Sequence, residues 1–220
     1  LTQLEMADYF VRNPWAELKV IKIGGCEAKT DFRAAVRLGA NVVVAPMIEC
    51  VFAVRKFSSM YEPNQKIKRW INIETISGLR LSNEICHFAM KHGISGVVIG
   101  RGDLAESMGF NRVEAESSRV QSAVKEIAVS ARENNLHVGV GGMISKDSVE
   151  NLYELSSLGL IDHFETRKVL IDAYIENHLE VIDEALRVEL SWISASLTNL
   201  GEMTSDLNRR SERIEKSLGQ

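Results

Sequence analysis

Residues 70–110 read WINIETISGLRLSNEICHFAMKHGISGVVIGRGDLAESMGF, and this stretch decides the fold. Two apolar runs, Trp70 to Ile73 and Gly96 to Ile99, end abruptly in carboxylate-bearing turns: Glu74-Thr75 after the first and Gly100-Arg101-Gly102-Asp103 after the second. A helical segment separates them. A strand, a helix and a second strand in that order make the two strands parallel neighbours. Glu74 and Asp103 are therefore expected side by side at the carboxyl ends of adjacent strands, the edge at which α/β barrels carry out their chemistry.

The same unit repeats outward in both directions. Toward the N-terminus, Leu18 to Ile23 is β-branched and stops at Gly24-Gly25, and Asn41 to Ala45 is an uninterrupted apolar run, as a strand covered on both faces requires. It ends in Pro46-Met47-Ile48-Glu49. Toward the C-terminus, Leu136 to Val140 stops at Gly141-Gly142, and Ile161 to Thr166 is the last strand expected. Helical spacing predicts helices over Leu4 to Val11, Asp31 to Leu38 with Gly39 after it, Cys50 to Tyr61, Val113 to Asn134 and Ser145 to Leu155. This alternation predicts a parallel α/β fold of the TIM-type (β/α)8 barrel class. No Gly-x-Gly-x-x-Gly opens a helix after the first strand, so a dinucleotide-binding sheet is excluded. A complete barrel takes about 250 residues, which places its first strand upstream of Leu1.

From Lys168 onward the pattern is continuously helical, with Ile175, Leu179, Ile182, Leu186, Leu190, Ile193, Leu197, Leu200, Met203 and Leu207 three or four apart. The expected division is a barrel over residues 1–170 and a long C-terminal helix over 171–220, bent or interrupted at Gly201. An apolar stripe of that length predicts that its distal part packs on a neighbouring subunit.

The 220 residues carry a net charge of −4 and are 45% hydrophobic, enough for a sizeable core and without the basic field that nucleic acid demands. No apolar run reaches the roughly 20 residues of a membrane span, and no signal-like segment opens the chain, so a cytoplasmic location is expected. Cys26, Cys50 and Cys86 lack metal-ligand spacing and are expected as reduced thiols.

A Glu and an Asp on neighbouring strand ends offer hard oxygen ligands to Mg²⁺ or Mn²⁺ and leave positions for a chelating 2-keto acid; simple helix capping is the alternative role. The backbone N–H groups at Gly100, Arg101 and Gly102, entering a helix, suit a substrate carboxylate, and Thr75 lies in the facing turn. Lys22 near the end of its strand is a candidate to hold a keto or enolate oxygen, or less favourably to form a Schiff base; an ordinary ion pair is equally compatible with its position. Glu165 and Arg167 alternate on one strand face, as an acid/base and an anion clamp or as a barrel salt bridge. His137, His163 and His178 have no motif around them.

Ile-Glu-Thr at 73–75, Val-Val-Ile-Gly-Arg-Gly-Asp-Leu at 97–104 and Val-Val-Val-Ala-Pro-Met at 42–47 resemble the HpcH/HpaI aldolase and citrate lyase β-subunit family, over about Lys19 to Asp172. These are metal-dependent class II pyruvate aldolases and acyl-CoA lyases on a TIM barrel. The resemblance implies that Glu74 and Asp103 ligate Mg²⁺ or Mn²⁺, that the turn at Gly100 to Asp103 binds a pyruvyl carboxylate, and that the chain forms a homo-oligomer, commonly a hexamer. The chain departs from the family in having Lys22 in place of an arginine, Gly24-Gly25 in place of a proline-containing turn, and no counterpart of an early-strand histidine. The expected activity is aldol cleavage or condensation of a 4-hydroxy-2-keto acid with an aldehyde partner. Acyl-CoA thioester cleavage of the citrate or malyl-CoA type, and a non-catalytic barrel scaffold, are the alternatives.

Overall fold

The computed structural model describes residues 16–60, 66–200 and 204–219. Strands β1 (Val20–Lys22), β2 (Val42–Ala45), β3 (Lys68–Ile73), β4 (Gly96–Gly100), β5 (His137–Gly141), β6 (His163–Glu165) and β7 (Leu170–Asp172) form one sheet in chain order. All neighbours are parallel except β6 and β7, which are antiparallel. Helices α1 (Lys29–Arg37), α2 (Val51–Ser58), α3 (Ile76–Arg80), α4 (Ser82–Lys91), α5 (Arg101–Ser107), α6 (Ser118–Glu133) and α7 (Val149–Ser157) fill the crossovers. Two further helices, α8 (His178–Leu200) and α9 (Thr204–Leu218), follow the sheet. The helix expected over Leu4 to Val11 and the break expected at Gly201 lie outside the described residues.

Strand alternation divides the sheet into two chemically different faces. One face presents Ile21, Val43, Ile71, Ile73, Val97, Ile99, Val138, Val140 and Phe164 to the helices, where they pack with Phe32, Phe57, Ile85, Ile127 and Leu152 in a single cluster. Each of these large side chains contributes on the order of 1.5–3 kcal/mol by leaving water. The other face gathers Val42, Val44, Trp70 and Val98, with Val20 of β1 and Leu170 of β7 against them. Because β1 and β7 are opposite edges of the sheet, their meeting in one cluster requires the sheet to curl. The architecture is thus a curled, mostly parallel half-barrel of the TIM type; among the described residues β1 and β7 do not pair, and the barrel is not closed.

The inner face has little room, and the sequence deals with this by pairing glycines with bulky neighbours. Gly96, Gly100, Gly139 and Gly141 line β4 and β5 on the inner side, and the space a Cβ would need is filled by Trp70, Glu74, His163 and Glu165 respectively. At Gly139 a Cβ would fall inside the His163 ring itself.

Two expectations are corrected. The continuous helix from Lys168 does not form: Thr166 N–H bonds to the Val169 carbonyl at 2.9 Å, the chain reverses, and β7 pairs back along β6 before α8 begins at His178. The helix expected over Val113 to Asn134 is split, because Asn111 and Glu114 form a capping box that starts a short 3₁₀ turn, Arg112–Glu116, ahead of α6. The C-terminal helical stretch comprises α8 and α9. Glu189, fully buried on α8, receives both ends of the Arg210 guanidinium at 2.8 and 3.0 Å, and Ile214 of α9 joins the main core. Ile182, Leu186 and Ile193 of the apolar stripe are buried within the chain itself, while Leu179 and Val188 remain exposed.

Candidate active site

Glu74 follows the last residue of β3, and the Ile73–Ile99 pairing sets it beside Gly100 of β4. Its carboxylate is almost wholly removed from solvent, at 1% exposure. Burial of such a group requires donors around it, and the fold supplies them from three directions. Lys22 Nζ approaches Oε2 at 3.1 Å from β1, the Met47 N–H donates to Oε1 at 3.0 Å from the turn after β2, and the Asn72 side-chain amide donates to Oε2 from within β3. Lys22 is itself half exposed, so this ion pair faces the open rim. Asn72 Oδ1 is buried without a partner among the described residues, a second hard oxygen beside the carboxylate.

Asp103 stands in the first turn of α5, immediately after β4. Arg112 binds both Asp103 and Glu106. Close by, Gly142 adopts a left-handed φ of +82°, and a Cβ there would sit 2.9 Å from the Gly102 nitrogen and 3.1 Å from that of Arg101. The absent side chain lets the Gly142 backbone pack directly against the two opening amides of α5, which no side chain caps, so this amide cradle is tight. Met47 and Met143, at φ of +52° and +58°, are non-glycine residues in the left-handed region, and both lie in turns of this rim.

The two carboxylates, the neighbouring amide oxygen and a partly open rim suit Mg²⁺ or Mn²⁺, which take few protein carboxylates and leave positions for water and substrate. Glu74 and Asp103 would hold such an ion. Among the described residues, no group of three or more His, Cys, Asp or Glu gathers at one point as a metal site.

The remaining candidates divide. Thr75 caps α3, its hydroxyl accepting from the Gly78 N–H at 3.1 Å. Arg101 contributes only backbone to the cradle: its side chain is fully buried and tied to the Gly142 carbonyl at 3.1 Å, Glu116 at 2.7 Å and the Ser148 hydroxyl at 3.0 Å. Burial pulls this guanidinium below its ordinary value, with Glu116 opposing. Glu165 lies at the inner end of β6, over Gly141 and therefore one residue from the cradle glycine. Arg167 does not share its strand face, because β6 ends at Glu165 and the hairpin turn has begun; Arg167 is exposed in that turn. It nonetheless lies near Arg213, whose guanidinium is lowered from its ordinary value by burial and then by the charges of Arg210, Arg112 and Arg167. Arg213 Nη1 reaches Met143 Sδ at 3.3 Å, so α9 brings positive charge to the rim.

Motif reading missed the histidines. His137 Nε2 and His163 Nδ1 are 2.9 Å apart, and the Trp70 indole lies nearly parallel to both rings, with centroids 4.7 and 5.2 Å away. Asp162 Oδ2 stands 3.2 Å from His137 Nδ1 and is fixed by Arg132 at 2.8 Å and the Val138 N–H at 2.7 Å. Burial, helped by His163, pushes the His137 imidazole down to about 4. The sequence does hold a signal for this cluster. His137-x-Gly139-x-Gly141 and His163-x-Glu165 have a period of two, large groups on one strand opposing glycines on the next.

A profile of the HpcH/HpaI aldolase/citrate lyase family matches residues 16–154. No curated protein matches by sequence. Solved structures do. An HpcH/HpaI aldolase/citrate lyase family protein from Burkholderia cenocepacia superimposes with a TM-score of 0.62 at 14% identity, covering 92% of this chain and 81% of its own. An HpcH/HpaI aldolase from Desulfitobacterium hafniense gives 0.63 at 13% identity, covering 76% and 72%. A citrate lyase β subunit from M. tuberculosis, complexed with oxaloacetate and magnesium, gives 0.54 at 16% identity, covering 76% and 71%. At these identities the superpositions speak for the fold, whereas the profile spans more than half of the sequence; the chain belongs to the HpcH/HpaI aldolase/citrate lyase family.

Proposed function

We propose that this protein is a divalent-metal-dependent carbon–carbon lyase or aldolase acting on a 2-keto acid through a pyruvate-type enolate. The observation that carries the reading is the buried Glu74 carboxylate at the end of β3, with Lys22 at 3.1 Å and Asp103 in the turn after the next strand. The magnesium and oxaloacetate bound to the M. tuberculosis relative support the same chemistry. Mg²⁺ or Mn²⁺ held by Glu74 and Asp103 would supply positive charge to the keto oxygen.

The chain's own groups account for the rest. The Arg101 and Gly102 amides, at the uncapped opening of α5, receive the substrate carboxylate, with Gly100 in the turn before them and Thr75 in the facing turn. Lys22 places its ammonium at the rim, where it offsets charge developing on the keto oxygen. Glu165 takes and returns the proton in cleavage of a 4-hydroxy-2-keto acid to an aldehyde, and Arg167 adds charge at the rim. Exposed Leu179 and Val188 on α8 suit contact with a second copy, in keeping with a homo-oligomer. Among the described residues no helix is long and apolar enough to cross a membrane.

Calorimetric titration with Mg²⁺ and pyruvate, alongside deuterium exchange into the pyruvate methyl group, tests this reading. Glu74→Ala and Asp103→Ala are expected to abolish metal-dependent binding and lower exchange by more than about 100-fold. Undiminished exchange in metal-free protein would refute it.

A second reading, acyl-CoA thioester cleavage, draws on the positive charge that Arg112, Arg167 and Arg213 mass beside the cradle. Turnover of an acyl-CoA that is lost in Arg213→Ala, with pyruvate exchange retained, would favour it.

A further inference from the structure

We propose that His163 is a proton-relay residue for Glu165, held in a single tautomer by the Asp162–His137 pair. The inference rests on the proposed role of Glu165 and extends it inward from the rim.

The direction of the relay follows from the order of donors and acceptors. Asp162 receives Arg132 and the Val138 N–H on the same oxygen, so it faces His137 as an acceptor. His137 Nδ1, 3.2 Å away, therefore carries a proton. A neutral imidazole has one donor and one acceptor nitrogen, which makes His137 Nε2 the acceptor. His163 Nδ1, 2.9 Å from it, must then be the donor. What remains is His163 Nε2 with an open lone pair, buried, without a hydrogen-bond partner among the described residues, and 3.7 Å from Glu165 Oε2. A lone pair opposite a carboxylate is an unfavourable arrangement unless a proton is shared between them.

When Glu165 removes a proton from substrate, its new O–H bond can break toward His163 Nε2. The carboxylate is regenerated and an imidazolium formed beside it; the reverse transfer returns the proton to product. The pair thus keeps a proton inside the barrel rather than releasing it to water. The 3.7 Å separation exceeds a hydrogen bond, and a small rotation of the half-buried Glu165 closes it. Two features of the fold serve the relay. Gly139 leaves the space that the His163 ring occupies, since a Cβ there would lie 2.0 Å from the ring, and Trp70 stacks on both imidazoles. The low proton affinity of His137 keeps the upstream link neutral. The other charged groups bordering the imidazoles are Lys68 of β3 and Asp172 of β7, which line the same 230 Å³ cavity below the rings.

Imidazole tautomers are read directly by long-range ¹⁵N–¹H correlation on histidine-labelled full-length protein, with no metal or substrate present. The expected result is His163 as the Nδ1–H tautomer, gaining a second proton at Nε2 on acidification, with that titration displaced in Glu165→Gln. An Nε2–H tautomer, or a titration indifferent to Glu165→Gln, would overturn the relay. In the metal-loaded protein, His163→Gln is expected to slow pyruvate exchange about tenfold and to shift its pH profile, with pyruvate affinity retained. Asp162→Asn, remote from the rim, is expected to mix the His163 tautomers without removing either ring. An unchanged profile in His163→Gln and unmixed tautomers in Asp162→Asn would each count against the proposal. Exchange that survives Glu74→Ala overturns the proposed function instead, so the two failures are distinguishable.

Discussion

The β3–β4 side of the barrel and the β5–β6 side are built on the same rule and used differently. On both sides a glycine lies under a large inward group: Gly100 under Glu74, Gly139 under His163. On the β3–β4 side that group is a flexible carboxylate with its donors arranged around it and one face toward the rim. On the β5–β6 side it is a rigid imidazole buried to 1% exposure, joined to a second imidazole and roofed by an indole. The first side can rearrange its contacts when a cation arrives, whereas the second holds its hydrogen-bond order. The contrast separates the half proposed to bind the metal and substrate from the half proposed to handle protons within one curled sheet.

Arg101 ties the two halves together, because it springs from the end of β4 and bonds the Gly142 carbonyl after β5, Glu116 before α6 and Ser148 before α7. Arg101→Met leaves Glu116 without its buried partner and is expected to destabilise the fold by about 3–5 kcal/mol in urea denaturation. A loss near zero would mean that the halves are held by the sheet alone. Gly139→Ala and Gly100→Ala sharpen the contrast next. The rigid ring cannot yield, so Gly139→Ala is expected to cost roughly 1–3 kcal/mol. At Gly100 the added methyl meets the Glu74 carboxylate and also its Cβ at 2.8 Å, so the expected effect falls on metal-dependent pyruvate binding as well as on stability.

A further effect is in pH. His137 binds its proton less readily folded, at about 4, than unfolded, at about 6.5. The unfolded chain thus takes up a proton first as pH falls. The stability held at neutral pH is therefore expected to decline between about 6.5 and 4 and to change no further through this group below that. His137→Phe should flatten the denaturation profile in that window.

Sequence reading placed the residues of the β3–β4 side more fully than those of the β5–β6 side, and the reason is chain geometry. Glu74 and Asp103 are announced by their neighbours: each follows an apolar β-branched run and a turn, so position alone brings them to one edge. Lys22 was placed by the same logic, and the structure pairs it with Glu74. Arg167 was misplaced because alternation was carried past Glu165, where Thr166 already turns the chain. β7 was hidden because Val169 to Asp172 is too short to show a period of its own and runs into the stripe of α8. The buried fate of the Arg101 side chain was not legible, since nothing local shows that Glu116 and Ser148 will meet it from elements well downstream. The histidine pair required matching large residues on one strand to glycines on another, and that depends on register, which single-strand periodicity does not contain.

The reversal at Thr166 also has a consequence for how the protein is made. Because β7 runs back down the sheet, α8 starts at the lower end and α9 carries Arg213 to Met143 at the rim. During synthesis the sheet and both carboxylates emerge well before that helix. Domains tend to fold from the N-terminus as they leave the ribosome, so a nascent chain would possess Glu74 and Asp103 in place while Glu189 still awaits Arg210. Translation beyond Glu212 would then be the step that completes the rim.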